Sequence, residues 1–123
     1  ALLLLSAAPE PELNCADPQA QQEMNLCAAR EYRQVDAEMN AQWRLTVAAM
    51  KEADRTIDRR YDREPGHYET HLAAQRAWLT YREKHCLSES FEARGGSLSP
   101  LLHAGCMTRL TKERIKQLRE LVE

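Results

Sequence analysis

The chain has 123 residues, a formal net charge of −2 and 43% hydrophobic residues, which is the size of one small domain. It contains 17 Ala and 16 Leu but only 3 Val and 2 Ile, so it lacks the β-branched residues that fill sheet faces. The near balance of 17 basic and 19 acidic residues argues against nucleic-acid binding, which requires a basic surface. We therefore predict an all-α protein built from strong helix formers.

The N-terminal residues have the pattern of an exported protein. An apolar run from Ala1 to Leu5 is followed by small residues and then by a Pro-rich stretch at 9–12, the order found at the end of a secretory leader. The run is far too short to span a bilayer. We expect residues 1–12 to be a leader remnant or flexible arm, residues 13–123 to form a single helical domain, and the protein to be periplasmic or secreted.

The spacing of apolar residues predicts a long first helix over residues 21–61. Side chains of one stripe recur at steps of three and four residues, as in a coiled-coil-like seam. The stripe consists of Ala28, Tyr32, Val35, Met39, Trp43, Thr46, Met50, Ala53, Ile57 and Tyr61. Pro65 and Gly66 then break the helix. The seam can meet another helix of the chain or a second copy, so a homodimer remains open.

Two further helices follow the break. Residues 68–90 are predicted to form an antiparallel hairpin with the first helix, and their wide apolar arc predicts neighbours on two sides. Residues 94–100 are the clearest loop of the chain, because they contain two Gly, two Ser and one Pro. A third helix is predicted from Ser99 or Pro100 to the C-terminus, with Ser99 as its cap.

Four cysteines, Cys15, Cys27, Cys86 and Cys106, predict two disulfides in a small exported chain. No two of them have the close spacing of a zinc or redox motif. Three pairings are open, and the local one, Cys15–Cys27 with Cys86–Cys106, is favoured. A crossed pairing requires helix two to reach both ends of helix one, which is about twice as long. Each bond is expected to stabilise this modest core by roughly 3 kcal/mol.

Polar residues on the apolar faces predict a buried polar network. Gln75 and Arg82 lie within the apolar arc of helix two, while Asp36 and Asn40 border the stripe of helix one. A buried Arg82 requires an acceptor. However, an unbroken first helix turning near Pro65 places Arg82 opposite about residue 48, far from Asp36. Either helix one bends or the partners differ; the four residues are predicted to be structural.

Three segments carry a family resemblance. The first combines Cys15 with EMNLCA at 23–28 and YxxxDxEMN at 32–40; the second is LxxQRxWxxYRxxxC at 72–86; the third is GGSxxPxxxxxCxxxLTxxRxxxL at 95–118. Together they resemble the LprI-type lysozyme-inhibitor family over nearly all of the mature chain. The resemblance implies a small exported bacterial protein, in some members an inhibitor of lysozyme, the cell-wall hydrolase. The family often has Thr where this chain has Ala20.

The sequence offers no catalytic constellation. Ser97 and Ser99 lie in a loop without a His and a carboxylate at a recognisable spacing. His67 and His71 have the four-residue spacing of metal ligands on one helix face, but no third ligand is evident and exposed histidines beside a turn are favoured. We predict no catalytic residue, no bound metal and no cofactor.

The best candidate for partner binding is the loop of Arg94, Gly95, Gly96, Ser97, Leu98 and Ser99, because loops on rigid helical scaffolds often carry function. A simple helix connector is the alternative. We predict an exported, non-enzymatic helical protein that binds a protein partner, with inhibition of a cell-wall hydrolase implied by the resemblance. The alternative function is a periplasmic small-molecule or metal-binding domain with a pocket between the helices near Trp43 and Trp78.

Overall fold

The computed structural model describes residues 12–123 and consists of three helices over that range. They are α1 (Gln21–Asp54), α2 (His67–Ser90) and α3 (Ser99–Glu120), with a short 3₁₀ turn at Phe91–Ala93. The predicted all-α fold is confirmed. The predicted leader or arm at 1–12 lies outside the described residues except for its last position.

Helix α1 begins where the sequence predicts but ends seven residues earlier. Ala20 occupies the N-cap without a side-chain cap bond, and the Glu23 carboxylate accepts a hydrogen bond from the backbone N–H of Gln19 at 3.3 Å. The prediction that the helix reaches Tyr61 is wrong. Past Asp54 the side chains bond locally instead, with Thr56 donating to the Ala53 carbonyl at 3.1 Å, and such bonds compete with helix continuation.

Asp54 has a second role, because its carboxylate caps the next helix. Its two oxygens accept hydrogen bonds from the backbone N–H groups of His67 (2.6 Å) and Tyr68 (3.1 Å). The N-cap of α2 is Gly66, which has no side chain to do this. A Cβ atom at Gly66 would lie 3.2 Å from Asp54 Oδ1, so glycine lets the carboxylate approach. The last residue of α1 thus fixes the start of α2.

The three helices pack around one another in an up-down-up order. Contacts between the end of α1 and the start of α2, and between α2 and α3, make each of these pairs antiparallel. Helix α3 packs more extensively on α1 than α2 does and runs parallel to it. The hydroxyl of Thr46 on α1 donates to the Leu118 carbonyl at 3.0 Å, which satisfies a free carbonyl near the end of α3.

The core has two parts along the length of the bundle. One consists of Val35, Met39, Ile115 and Leu118, with Trp43, Trp78 and Leu79 packed against it. The other consists of Cys86, Cys106 and Met107, with Tyr32 and Leu110 packed against it. The apolar seam of α1 is therefore covered by α3 of the same chain over Val35 to Thr46.

Both predicted disulfides are confirmed. Cys15–Cys27 ties the N-terminal segment to the first turns of α1 with a Cα–Cα distance of 5.5 Å. Cys86–Cys106 joins α2 to α3 with a Cα–Cα distance of 5.4 Å. Over residues 12–123, no helix has the length and apolar character needed to cross a membrane.

Candidate functional site

Arg82 is the centre of a polar cluster between the three helices. Its side chain is 5% exposed, and Nη1 donates to Asp36 Oδ1 at 2.9 Å and to the Thr111 hydroxyl at 3.0 Å. The exposed carboxylate of Glu83 lies 3.7 Å from Nη2. One cation thus joins α1, α2 and α3, and the structure brings together two of the four predicted network residues, Asp36 and Arg82.

Aromatic rings complete the surroundings of Arg82. The guanidinium carbon lies 5.4 Å from the Tyr32 ring centre and 5.1 Å from that of Trp78, distances at which a cation is attracted to the ring face. Burial raises the pKa of the Tyr32 hydroxyl, while the positive charge of Arg82 acts in the opposite direction. This combination of an ion pair and two ring faces is typical of a structural element of the core.

The third predicted network residue, Gln75, bonds to a different arginine. Its side-chain oxygen accepts a hydrogen bond from Arg114 Nε at 2.8 Å, and its amide nitrogen lies 3.8 Å from the sulfur of Met39. Arg114 Nη1 also donates to Gln117 at 3.0 Å. Asn40 is exposed and is not brought into this cluster.

Two members of the cluster, Thr111 and Arg114, were missed by sequence reasoning. Both lie on the inner face of α3 and are buried. The signal was available, because these positions continue the spacing of Met107 and Leu118 at steps of three and four residues. A threonine and an arginine on such a stripe indicate polar groups facing the core.

The predicted loop at 94–99 is exposed but conformationally restrained. Gly95 has φ of +80°, a conformation that glycine adopts at no steric cost. The backbone N–H of Gly96 donates to the Ala93 carbonyl at 2.9 Å, and Asn25 on α1 donates to the Ser97 carbonyl at 2.9 Å. Together with the Cys86–Cys106 bond at its base, these contacts hold the loop against the body of the protein.

Large apolar side chains are exposed at the same end of the bundle as the loop. They belong to the start of α1, the end of α2, the 3₁₀ turn and the loop itself: Leu26, Leu87, Phe91 and Leu98, each between 42% and 45% exposed. The guanidinium of Arg94 lies over the Phe91 ring at 4.4 Å. The loop end therefore presents apolar groups and one exposed cation to solvent.

The prediction that the two histidines at the start of α2 are exposed is correct for His67 and wrong for His71. His67 is exposed, whereas His71 is buried and stacks on Trp43 with ring centres 4.7 Å apart. Burial lowers the pKa of His71, and the positive charge of Arg114 lowers it further. In the described range, His85, Glu89 and Cys106 do converge within 4.8 Å, but the Cys106 sulfur is already bonded to Cys86.

Nearly all of the residues described above lie within one segment that matches a known protein family. The family model described as lysozyme inhibitor LprI matches residues 14–118. This chain belongs to the LprI family. The match spans both disulfides, the Arg82 cluster and the loop at 94–99, and it ends at the buried Leu118.

The relatives of this LprI family member say little more about activity. An uncharacterized protein of Rhizobium meliloti (strain 1021) is 43% identical over 129 residues, which cover 99% of this chain and 91% of that protein. No solved structure matches the chain. The sequence-based recognition of the family is thus confirmed, and the family is described as one of lysozyme inhibitors.

Proposed function

We propose that this protein acts outside the cytoplasm by binding a protein partner, and that the partner is a lysozyme-like cell-wall hydrolase that it inhibits. The observation that carries the proposal is the match of residues 14–118 to a family described as lysozyme inhibitors. On this proposal the chain acts by binding and carries out no catalysis.

Two features of the chain support a location outside the cytoplasm. Two disulfides in a protein of this size are typical of oxidising surroundings such as the periplasm or the extracellular space. The apolar N-terminal run followed by small residues is typical of an export signal. The proposed partner acts on the cell wall, so the protein and its target would share a compartment.

For the contact surface we propose the loop at 94–99. A segment that is already fixed when free loses little conformational entropy on binding, and this loop is held by the hydrogen bond from Asn25 and by the disulfide at its base. Gly95 and Gly96 carry no side chain, and on this proposal that lets the loop approach the walls of a cleft closely. The exposed Leu98 within the loop supplies apolar area.

The charge of the loop fits the proposed target. Glycoside hydrolases cleave their substrates with a pair of carboxyl groups in the cleft, and a guanidinium is the side chain best matched to a carboxylate. Arg94 is exposed and lies at the start of the loop. We propose that Arg94 pairs with a cleft carboxylate while Leu98 and Phe91 contact the apolar walls.

The test is lysis of purified cell walls by a lysozyme in the presence of excess protein, followed by turbidity. Dose-dependent slowing of lysis is expected, and unchanged lysis at saturating protein would overturn the inhibitor proposal. Arg94→Glu is expected to weaken inhibition at least about tenfold, because it places a like charge opposite the cleft carboxylates. Arg76→Glu, the same change at an exposed site of α2, is the matched control.

If Arg94→Glu and Arg76→Glu inhibit equally well, the loop is not the contact surface even though the inhibitor proposal stands. Circular dichroism of both variants checks that the helical content is unchanged.

A further inference from the structure

A cavity of about 470 Å³ lies at the end of the bundle opposite the loop. It is formed where the end of α1, the start of α2 and the end of α3 meet. Its walls are largely apolar and include Met50, Pro65, Ala74 and Leu121, while the polar lining residues are His67, Thr70, His71 and Arg114. This size and composition are typical of sites for small organic molecules.

Two buried polar atoms on side chains that line this cavity lack a hydrogen-bond partner. They are Nη2 of Arg114 and Nε2 of His71, on side chains of residues that are 9% and 6% exposed. Buried polar atoms without a hydrogen bond are rare in proteins because each one costs free energy. Two such atoms on residues that line one cavity favour a ligand that satisfies both.

The charge of Arg114 determines the kind of ligand. Its other nitrogens bond to the neutral amide groups of Gln75 and Gln117, and among residues 12–123 no carboxylate forms an ion pair with it. The positive charge of Arg114 also acts on His71, a second lining residue, and helps to lower the pKa of its imidazole. An anionic group is therefore favoured and a metal cation is disfavoured.

We propose that this cavity binds a small carboxylate with an apolar body, such as a medium-chain fatty acid. The carboxylate accepts hydrogen bonds from Arg114 Nη2 and from His71 Nε2, and the hydrocarbon lies along Met50, Ala74 and Leu121. A carboxylate is the natural partner of a guanidinium, and contact with the apolar wall removes part of the hydrocarbon from water. The cavity and the proposed inhibitory loop lie at opposite ends of the bundle, so the test of one proposal does not depend on the outcome of the other.

The experiment is calorimetric titration of the oxidised protein with three probes that separate charge from apolar contact. Octanoate has both features, octanol has the chain without the charge, and acetate has the charge without the chain. Saturable binding of octanoate, at least about tenfold tighter than either other probe, is expected. Equal binding of octanol, or no binding of octanoate, would overturn the proposal.

Two variants locate the ligand. Arg114→Gln removes the cation and is expected to weaken octanoate binding about tenfold or more. Because Arg114 is also part of the core, Ala74→Leu provides a second variant that fills the cavity from the exposed side of α2. Its control is Ala73→Leu, the same change at a neighbouring exposed position outside the cavity lining.

Loss of octanoate binding in Ala74→Leu with binding retained in Ala73→Leu supports the assignment. Undiminished binding in Ala74→Leu shows that octanoate binds elsewhere and overturns it. As a direct readout, the ring signals of His71 in a nuclear magnetic resonance spectrum should shift with octanoate and stay unchanged with octanol.

Discussion

Replacing Asp36 by Asn should destabilise the protein far more than the same change at an exposed ion pair. The bond from Arg82 Nη1 to Asp36 Oδ1 is 2.9 Å long, and the two side chains are 5% and 31% exposed. Breaking a fully buried ion pair costs about 3–5 kcal/mol because the remaining charge is uncompensated. Water reaches part of Asp36 and Thr111 still accepts a bond, so we expect about 2–3 kcal/mol.

The matched control is Glu31→Gln, which removes a carboxylate 3.3 Å from Lys112, where both side chains are more than half exposed. Surface pairs of this kind contribute less than about 1 kcal/mol. Urea unfolding at pH 7, followed by circular dichroism, gives both free energies. Equal losses of unfolding free energy in the two variants would contradict this prediction. In an Arg82→Met background, Asp36→Asn should cost less than about 1 kcal/mol, because no buried charge is left unpaired.

Three further predictions concern the disulfide, the helix cap and pH. The double variant Cys86→Ala with Cys106→Ala removes a disulfide that closes a loop with a sequence separation of 20, and it should lower the free energy of unfolding by about 3 kcal/mol. If the variant and the oxidised parent protein unfold at the same urea concentration, this prediction is contradicted. Asp54→Ala should lower the melting temperature. Burial alone raises the pKa of Asp54, but its bonds from the N–H groups of α2 outweigh this and hold the pKa below the usual 3.8. The stability that the Asp54 carboxylate contributes is therefore present above about pH 3.8 and is lost as the pH falls through its lower pKa in the folded protein. Glu52→Ala, the control, should leave this pH dependence unchanged. Burial lowers the pKa of His71 below 6.5, so the unfolded chain binds the proton more readily, and stability should fall as the pH drops below about 6.5. His71→Phe should remove that slope in pH-dependent melting curves, and a slope that persists would contradict it.

The helices and disulfides were predictable because their signals are local. Helix-period spacing, the Pro65-Gly66 break and Pro100 in the first turn of α3 all act within a few residues. The prediction that Ser99 caps α3 is wrong, because Ser99 is the first helical residue, Leu98 is the N-cap and no side chain caps the helix. The pairing of Cys86 with Cys106 follows from the loop between two adjacent helices. These features require no knowledge of how the helices pack.

The end of α1 was not predictable from periodicity. Ile57 and Tyr61 continue the stripe in the sequence, but Tyr61 is 84% exposed and neither residue lies in the helix. What ends the helix is a combination of local side-chain bonds and the tertiary bond from Asp54 to the start of α2. The second of these depends on the fold already being formed.

The predicted position of Arg82 relative to the first helix is wrong for the same reason. An unbroken first helix turning near Pro65 put Arg82 opposite residue 48. With α1 ending at Asp54 and α2 starting at His67, a hairpin centred between them puts Arg82 opposite about residue 39, within one turn of Asp36. The stripe on α3 shows that Thr111 and Arg114 face the core, but it does not show which side chains of α1 and α2 they meet, because the sequence does not fix how far α3 is shifted along the other two helices.

The covalent connections divide the chain unequally. One disulfide lies within the N-terminal segment and α1, the other joins α2 to α3, and neither links α1 to the remaining two helices. Only the exposed connector at 55–66, which carries four arginines, joins the two parts. A trypsin cut there leaves two disulfide-containing fragments that stay associated through packing and separate in urea without a reductant. The same connectivity allows two molecules to exchange α1 without breaking any disulfide bond.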